Sequence, residues 1–264
     1  MALFWPRAYL AFVFIVLYAP IFYLSFYSFN SGGTMSSFDG FTLDWYKELF
    51  SDSRLLVIVL NTLIIALLSA AISTIIGVLG ALAIVYARKR LYQHILLSLN
   101  NVLIVSPDVI IGASFLILFT IIGINLGFTS VLLAHIAFSV PIVVIMVLPK
   151  LEEMSSSLID AARDLGASRF DILTKVILPY ITPGIFAGFF MALTYSLDDF
   201  AVTFFVTGNG FTTLSVEIYS LARRGISLQI NALSTLLFLF TIVLVIGYYF
   251  IQKRNEKTAV GVRK

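Results

Sequence analysis

The sequence predicts an all-α integral membrane protein with six transmembrane helices. Of its 264 residues, 60% are hydrophobic and only 12% are charged, whereas charged residues make up roughly 25% of a soluble domain. Several apolar runs reach the length of about 20 residues that a helix needs to cross a bilayer. We therefore expect residues 1–264 to form a single transmembrane domain.

Each predicted span is an apolar run between polar, proline or glycine residues. The six spans cover residues 9–29, 55–87, 102–122, 130–148, 184–206 and 232–251. The third follows a polar break at Asn100 and Asn101. Within it, Ser106 is the predicted N-cap of a restarting helix that has Pro107 in its first turn. Pro149 and the charged residue after it are expected to close the fourth span.

Lysine and arginine residues predict the orientation of these spans. Thirteen of the 17 lie on one predicted side, which also holds both termini and the loop between the fourth and fifth spans. The other side carries only Lys47, Arg54, Arg223 and Arg224. Because cytoplasmic loops carry the excess of positive charge, both termini are predicted to lie in the cytoplasm.

The composition argues against several classes of function. The chain has no cysteine, and its two histidines, His94 and His135, lie far apart in the sequence, so we predict no catalytic residue and no metal site. His135 is interpreted as a packed helix residue. The basic residues cluster at the ends of apolar runs, so nucleic-acid binding is not predicted. The chain also lacks a G-x-x-x-x-G-K-[ST] phosphate loop, so it is not expected to bind or hydrolyse ATP itself.

The predicted cytoplasmic loop, residues 150–182, is the most polar segment and holds nine charged residues. Apolar residues recur in it at helical spacing, which predicts an amphipathic helix whose apolar stripe is Leu158, Ile159, Ala162 and Leu165. Gly166 is predicted to end that helix. A second helix, 170–178, is predicted to stop at Pro179, whose ring and missing N–H disfavour a continuing helix.

This loop resembles the EAA loop of ABC importer permeases. The matching residues are Asp160-Ala161-Ala162, Gly166 four residues later, and Leu178-Pro179; Asp160 stands where the family has glutamate. The resemblance implies the type I importer permease fold and a coupling helix that docks in a cleft of a cytoplasmic ATPase. The coupling residues it implies are Asp160, Ala161, Ala162, Arg163, Asp164, Gly166, Ala167 and Pro179.

The family resemblance also implies the other members of a complex. These are a cytoplasmic ABC ATPase dimer that uses ATP and magnesium, a second homologous permease that completes the pore as a heterodimer, and an extracytoplasmic substrate-binding protein. The chain itself is then a non-catalytic subunit without a bound cofactor. It is expected in the bacterial cytoplasmic membrane.

The fifth span and its exit resemble the spermidine/putrescine permeases of this family. The resemblance is carried by Ser196-Leu197-Asp198-Asp199-Phe200, Phe205-Val206-Thr207-Gly208, Phe211-Thr212-Thr213-Leu214 and Ile218-Tyr219-Ser220. It implies that the cargo is a polyamine. The alternatives are a permease for another small solute, or a secondary transporter or channel that needs no ATPase.

Acidic residues at membrane depth are the candidates for a polyamine pathway. A carboxylate there costs about 2.5 to 3.5 kcal/mol on insertion scales, so such residues face a bundle interior or a wet cavity. Asp198 and Asp199 lie about 100° apart on a helix and cannot both point the same way. Both could equally be gate or helix-contact residues, and Asp108 fits the start of a helix as well as a pathway.

Three residues outside the membrane complete the predicted substrate pathway. Trp45 belongs to an acidic, aromatic first outer loop that would attract cations. Glu217 and Tyr219 lie in the last outer loop. An ordinary interfacial role is the alternative for all three.

Overall fold

The computed structural model describes residues 4–87, 89–224, 228–239, 241–243 and 246. The chain divides into two compact units, Met1–Leu56 with Ile218–Lys264, and Val57–Glu217. Over the described residues the secondary structure is helical apart from turns and one isolated bridge between Asn30 and Phe41. The predicted all-α membrane fold is therefore confirmed.

The described helices, in chain order, are α1 Phe4–Tyr27, α2 Asp44–Ser51, α3 Ser53–Val85, α4 Arg90–Val105, α5 Asp108–Ile122, α6 Phe128–Glu153, α7 Ser156–Asp164, α8 Arg169–Ile172, α9 Leu178–Asp198, α10 Ala201–Val206, α11 Leu214–Arg224 and α12 Leu228–Val243. A π-helical turn, Leu173–Ile177, joins α8 to α9.

Among these described helices, four are long and apolar enough to cross a membrane: α1, α3, α6 and the continuous helix Arg169–Asp198. The pair α4 and α5 qualifies only together and is bent by 105°. The sixth predicted span, 232–251, lies partly outside the residues that the structure describes. Six spans therefore stay a prediction.

In the first unit, the amide of Asn30 organises the loop that follows α1. Its Nδ2 donates to the carbonyls of Thr34 and Ser37, each at 2.7 Å, and its Oδ1 accepts the N–H of Asp39. The backbone carbonyl of Asn30 accepts the indole N–H of Trp45 at 2.8 Å. Because one buried side chain supplies several bonds, this loop is held without a regular strand or helix.

In the second unit, α6 and α9 pack closely through glycine. Gly184 and Gly188 are buried and four residues apart on α9. A Cβ on Gly188 would lie 3.1 Å from a methyl group of Val143, and one on Gly184 would lie 3.0 Å from the carbonyl oxygen of Met146. Small residues at this spacing let two membrane helices approach closely, so that van der Waals contact stabilises the pair.

The third span is not continuous, and its break lies at Ser106 and Pro107, where a restarting helix was predicted, rather than at Asn100 and Asn101. Asn100 and Asn101 are inside α4, where the Asn100 side-chain N–H donates to the carbonyl of Pro141 at 3.4 Å. The break falls at Ser106, because proline disfavours the helical conformation of the residue before it. Ser106 is the C-cap of α4 and donates to the carbonyl of Val102 at 2.7 Å, so its predicted role as an N-cap is wrong.

Two prolines predicted at helix ends lie inside helices. Pro149 is within α6, whose last turn is stabilised by an ion pair between Lys150 and Glu153 at 2.7 Å. Pro179 is at the start of α9, directly after the π turn. The wider π turn changes the hydrogen-bond register ahead of Pro179, so the ring and the missing N–H are accommodated and the helix continues.

Candidate functional site

Two helix breaks in the second unit meet at an acidic cavity of about 320 Å³. One break separates α4 from α5. The other separates α9 from α10, so the predicted span 184–206 is interrupted. The cavity is lined by Asp108, Met191, Thr194, Tyr195, Asp198, Asp199, Phe200 and Ala201. The structure therefore brings the three carboxylates singled out in the membrane segments to one place.

Asp108 enters the cavity as the first residue of α5. The residue before it, Pro107, has an extended backbone and makes no side-chain cap. An acidic residue in the first turn of a helix interacts favourably with the helix dipole. The hydroxyl of Tyr195 donates to Oδ1 of Asp108 at 3.2 Å. This bond links the start of α5 to α9 across the cavity. Sequence reasoning did not single out Tyr195.

The neighbouring residues Asp198 and Asp199 have different environments. Asp198 is the last residue of α9 and is exposed to the cavity. The side chain of Asp199 is only 4% exposed. Its Oδ2 accepts the N–H of Thr203 at 2.8 Å and the hydroxyl of Thr203 at 2.6 Å, and its Oδ1 accepts the N–H of Val202 at 3.3 Å. Asp199 therefore caps α10, as an acidic residue before a helix does.

His135 on α6 was interpreted from the sequence only as a packed helix residue. It is fully buried, as that interpretation requires, but both ring nitrogens are hydrogen-bonded. Nδ1 lies 2.6 Å from the hydroxyl of Ser196, and Nε2 lies 2.8 Å from the hydroxyl of Thr203. A titratable residue inside an otherwise apolar run was the available signal, because such residues need partners in a membrane.

The amphipathic helix predicted ahead of Gly166 is present as α7, while its role as a coupling helix stays a prediction. Ser155 caps the helix by accepting the N–H of Ser157, and Arg163 pairs with Asp160 at 3.1 Å on an exposed face. Gly166 has φ of +78°, a conformation that favours glycine. The helix end is closed by a bond from the N–H of Gly166 to the carbonyl of Arg163 at 2.8 Å.

The apolar stripe of this helix is only partly buried. Ile159 and Ala162 pack against the core of the second unit, whereas Leu158 and Leu165 are 44% and 89% exposed. Phe170 at the start of α8 is 72% exposed. The two leucines of the predicted stripe are therefore exposed rather than packed against the core. The loop presents apolar side chains among charged ones.

The remaining predicted pathway residues do not line the cavity. Trp45 and Tyr219 belong to the first unit, where Tyr219 lies under the guanidinium of Arg223 at 5.7 Å. Glu217 is buried in the second unit, 4% exposed. On α2, hydrogen bonds from Lys47 and Thr42 lower the pKa of Asp44 below its usual value.

Comparison with known proteins places the chain in a family. Residues 73–259 match the model of the family described as "Binding-protein-dependent transport system inner membrane component". The chain is 38% identical over 249 residues to the spermidine/putrescine transport system permease protein PotC of Escherichia coli K12, covering 94% of each chain. It is 33% identical over 264 residues to the putrescine transport system permease protein PotI of the same organism, covering 97% of this chain and 93% of PotI.

A solved structure shows the same fold at lower identity. It is the crystal structure of a bacterial alginate ABC transporter in complex with an alginate pentasaccharide-bound periplasmic protein. It is similar with a TM-score of 0.70 and 19% identity, covering 94% of this chain and 92% of that chain. The resemblance to ABC importer permeases seen in the sequence is confirmed. The chain belongs to the family of binding-protein-dependent transport system inner membrane components, the membrane-spanning permeases of ABC importers.

Proposed function

We propose that this chain is one permease subunit of an ATP-driven importer of polyamines and that the acidic cavity is a station on the polyamine pathway. The observation that carries this proposal is the meeting of Asp108, Asp198 and Asp199 in one cavity of about 320 Å³. Its relatives PotC and PotI, which are named as spermidine/putrescine and putrescine permeases, support the same cargo.

The chemistry of the cavity suits a flexible chain of ammonium groups. Neighbouring carboxylates repel one another, and a bound cation relieves that repulsion. The rings of Tyr195 and Phe200 line the same cavity and offer cation–π contacts to an ammonium group. Asp108 and Asp198 are both exposed to the cavity, whereas Asp199 is buried and hydrogen-bonded, so two carboxylates rather than three are open to ammonium groups of the cargo.

The energy for transport comes, in this proposal, from a separate subunit. A cytoplasmic ATPase dimer binds ATP and magnesium and contacts α7 and Gly166, where exposed Leu165 lies among charged residues. A second homologous permease completes the pore, and an extracytoplasmic binding protein delivers the polyamine. The termini and the loop of α7 face the cytoplasm of a bacterial cell, in line with the distribution of lysine and arginine.

The proposal is tested by ATP-dependent uptake of labelled spermidine and putrescine into vesicles that contain the whole complex. Asp198→Asn is expected to raise the KM for uptake at least tenfold, on the order of one lost charge-assisted bond, while basal ATPase activity stays near that of the wild type. Glu152→Gln, which removes one exposed carboxylate at the cytoplasmic end of α6, serves as the matched control and is expected to leave uptake unchanged.

Two outcomes contradict the proposal in different ways. A complex whose ATPase responds to its binding protein but which takes up no polyamine is a permease for another solute. Uptake by the lone chain in lipid vesicles, without the ATPase, would instead mean a secondary transporter or channel.

A further inference from the structure

A buried chain of hydrogen bonds crosses four helices of the second unit behind the acidic cavity. It runs from Ser69 on α3 through Ser196 on α9 and His135 on α6 to Thr203 on α10 and ends at Asp199. The Ser69 hydroxyl donates to that of Ser196 at 3.0 Å. The residues Ser69, His135 and Thr203 are fully buried, and Ser196 is 3% exposed.

The hydrogen bonds around His135 indicate which of its two ring nitrogens carries a proton. The hydroxyl of Thr203 gives its one proton to the Asp199 carboxylate, so toward Nε2 of His135 it acts as an acceptor and Nε2 carries a proton. Ser69 donates to Ser196, so the Ser196 hydroxyl is left to donate to Nδ1. One neutral tautomer of His135 thus satisfies every bond in the chain.

Asp199, the last residue of this chain of hydrogen bonds, lies at the break between α9 and α10. Asp199 has an extended backbone, with φ of −63° and ψ of 120°, and its carbonyl accepts the hydroxyl of Ser215 at 2.6 Å. Its carboxylate is bound to the first turn of α10 and to the hydroxyl of Thr203. Without that hydroxyl, the carboxylate would keep two backbone N–H partners and only the longer contact of 3.5 Å from its Oδ2 to Nε2 of His135.

We propose that His135 is a positioning residue for the cavity: acting through Thr203, it holds the Asp199 carboxylate on α10 and so leaves Asp198 as the carboxylate that meets the cargo. This rests on the proposed function for the identity of the cargo, a polyamine. Two adjacent aspartates then have separate tasks. Asp199 sets the break in the helix, and Asp198 contacts the ammonium group.

A double-mutant cycle on the assembled complex tests this division. Thr203→Val removes the hydroxyl and keeps the shape of the side chain, and Thr203→Ser keeps the hydroxyl. Thr203→Val is expected to raise the KM for spermidine uptake about tenfold, because a bond to a buried charge is lost, while Thr203→Ser stays near the wild type. The change should nearly vanish in an Asp199→Ala background, which has no side-chain acceptor for Thr203, and persist in full in an Asp198→Asn background.

His135→Phe provides the second arm of the cycle. It keeps a buried ring of similar size and is expected to reproduce the Thr203→Val effect and the same coupling to Asp199. Equal effects of Thr203→Val and Thr203→Ser, or equal effects of Thr203→Val in both aspartate backgrounds, would overturn the positioning role.

The same cycle is measured on the thermal unfolding of the complex without substrate, so that the two proposals fail separately. Coupling between Thr203 and Asp199 in unfolding, in a complex that takes up no polyamine, would leave the positioning role standing and overturn only the proposed cargo. Normal polyamine uptake with no coupling in either measurement would overturn only the positioning role.

Discussion

Single residues decide how the acidic cavity works, and the two adjacent aspartates show this most clearly. From the sequence, the presence of acids at membrane depth and their divergence on a helix could be predicted. Which of them faces the cavity could not, because that depends on a helix break at Asp199 and on the hydroxyl of Thr203, which lies 68 residues from its partner His135 in the sequence. Periodicity carries no information about such partners.

Gly166 is the residue on which the turn between α7 and α8 depends. A Cβ there meets no atom within 4 Å, so its φ of +78° is the only constraint. Gly166→Ala is expected to cost about 1 kcal/mol, because alanine is strained in the left-handed region, and to lower the ratio of uptake to ATP hydrolysis severalfold. Asparagine tolerates that region, so Gly166→Asn should retain most of the coupling. Equal loss in both variants would mean that side-chain size, not backbone conformation, matters at the ATPase contact.

At the scale of elements, helix interiors followed from the apolar runs, whereas helix ends did not. Prolines were expected to end helices at Pro149 and Pro179, yet both are accommodated, the second by a π turn that no local pattern announces. A helix does restart at the predicted break, but Ser106 ends α4, and α5 begins only at Asp108. Tertiary contacts determine which of the conformations open to a proline is adopted, and those contacts cannot be read from the sequence.

The α6–α9 contact makes a prediction about assembly. Gly188→Leu would force a branched side chain against Val143 and is expected to destabilise the unit by about 1 to 3 kcal/mol or more, as overpacking does. The measurement is the thermal unfolding midpoint in detergent, followed by size-exclusion chromatography. Ala187→Leu, at the adjacent exposed position of the same helix, is the control and should unfold near the wild-type midpoint. Similar losses in both variants would show that the glycine contact is not what holds the pair.

At the scale of the whole molecule, composition alone predicted a membrane protein, and the loop pattern predicted its family. The number of spans and their orientation rest on counting apolar runs and positive charges. The 105° bend between α4 and α5 shows why counting runs is insufficient, since a run of the right length need not be one straight helix.

The absence of native cysteine allows a direct test of orientation. Ser36→Cys, in the exposed loop after α1, is expected to react with a membrane-impermeant maleimide added to right-side-out vesicles. Ser157→Cys, exposed on α7, should react only after the vesicles are opened. The excess of lysine and arginine expected on the cytoplasmic side predicts this order of labelling. Labelling in the reverse order would place the loop of α7 outside the cell and remove the predicted ATPase contact.

The continuous helix from Arg169 to Asp198 joins the loop that follows α7 to the acidic cavity. At a rise of about 1.5 Å per residue, its 30 residues make a rod of about 45 Å. A tilt of about 5° at the Arg169 end of a rod this long displaces the Asp198 end by about 4 Å, more than the length of a hydrogen bond. In a transporter that works as proposed, such a rod would act as a lever, because a small angular movement at the loop would take the Asp198 carboxylate out of reach of a bound cation.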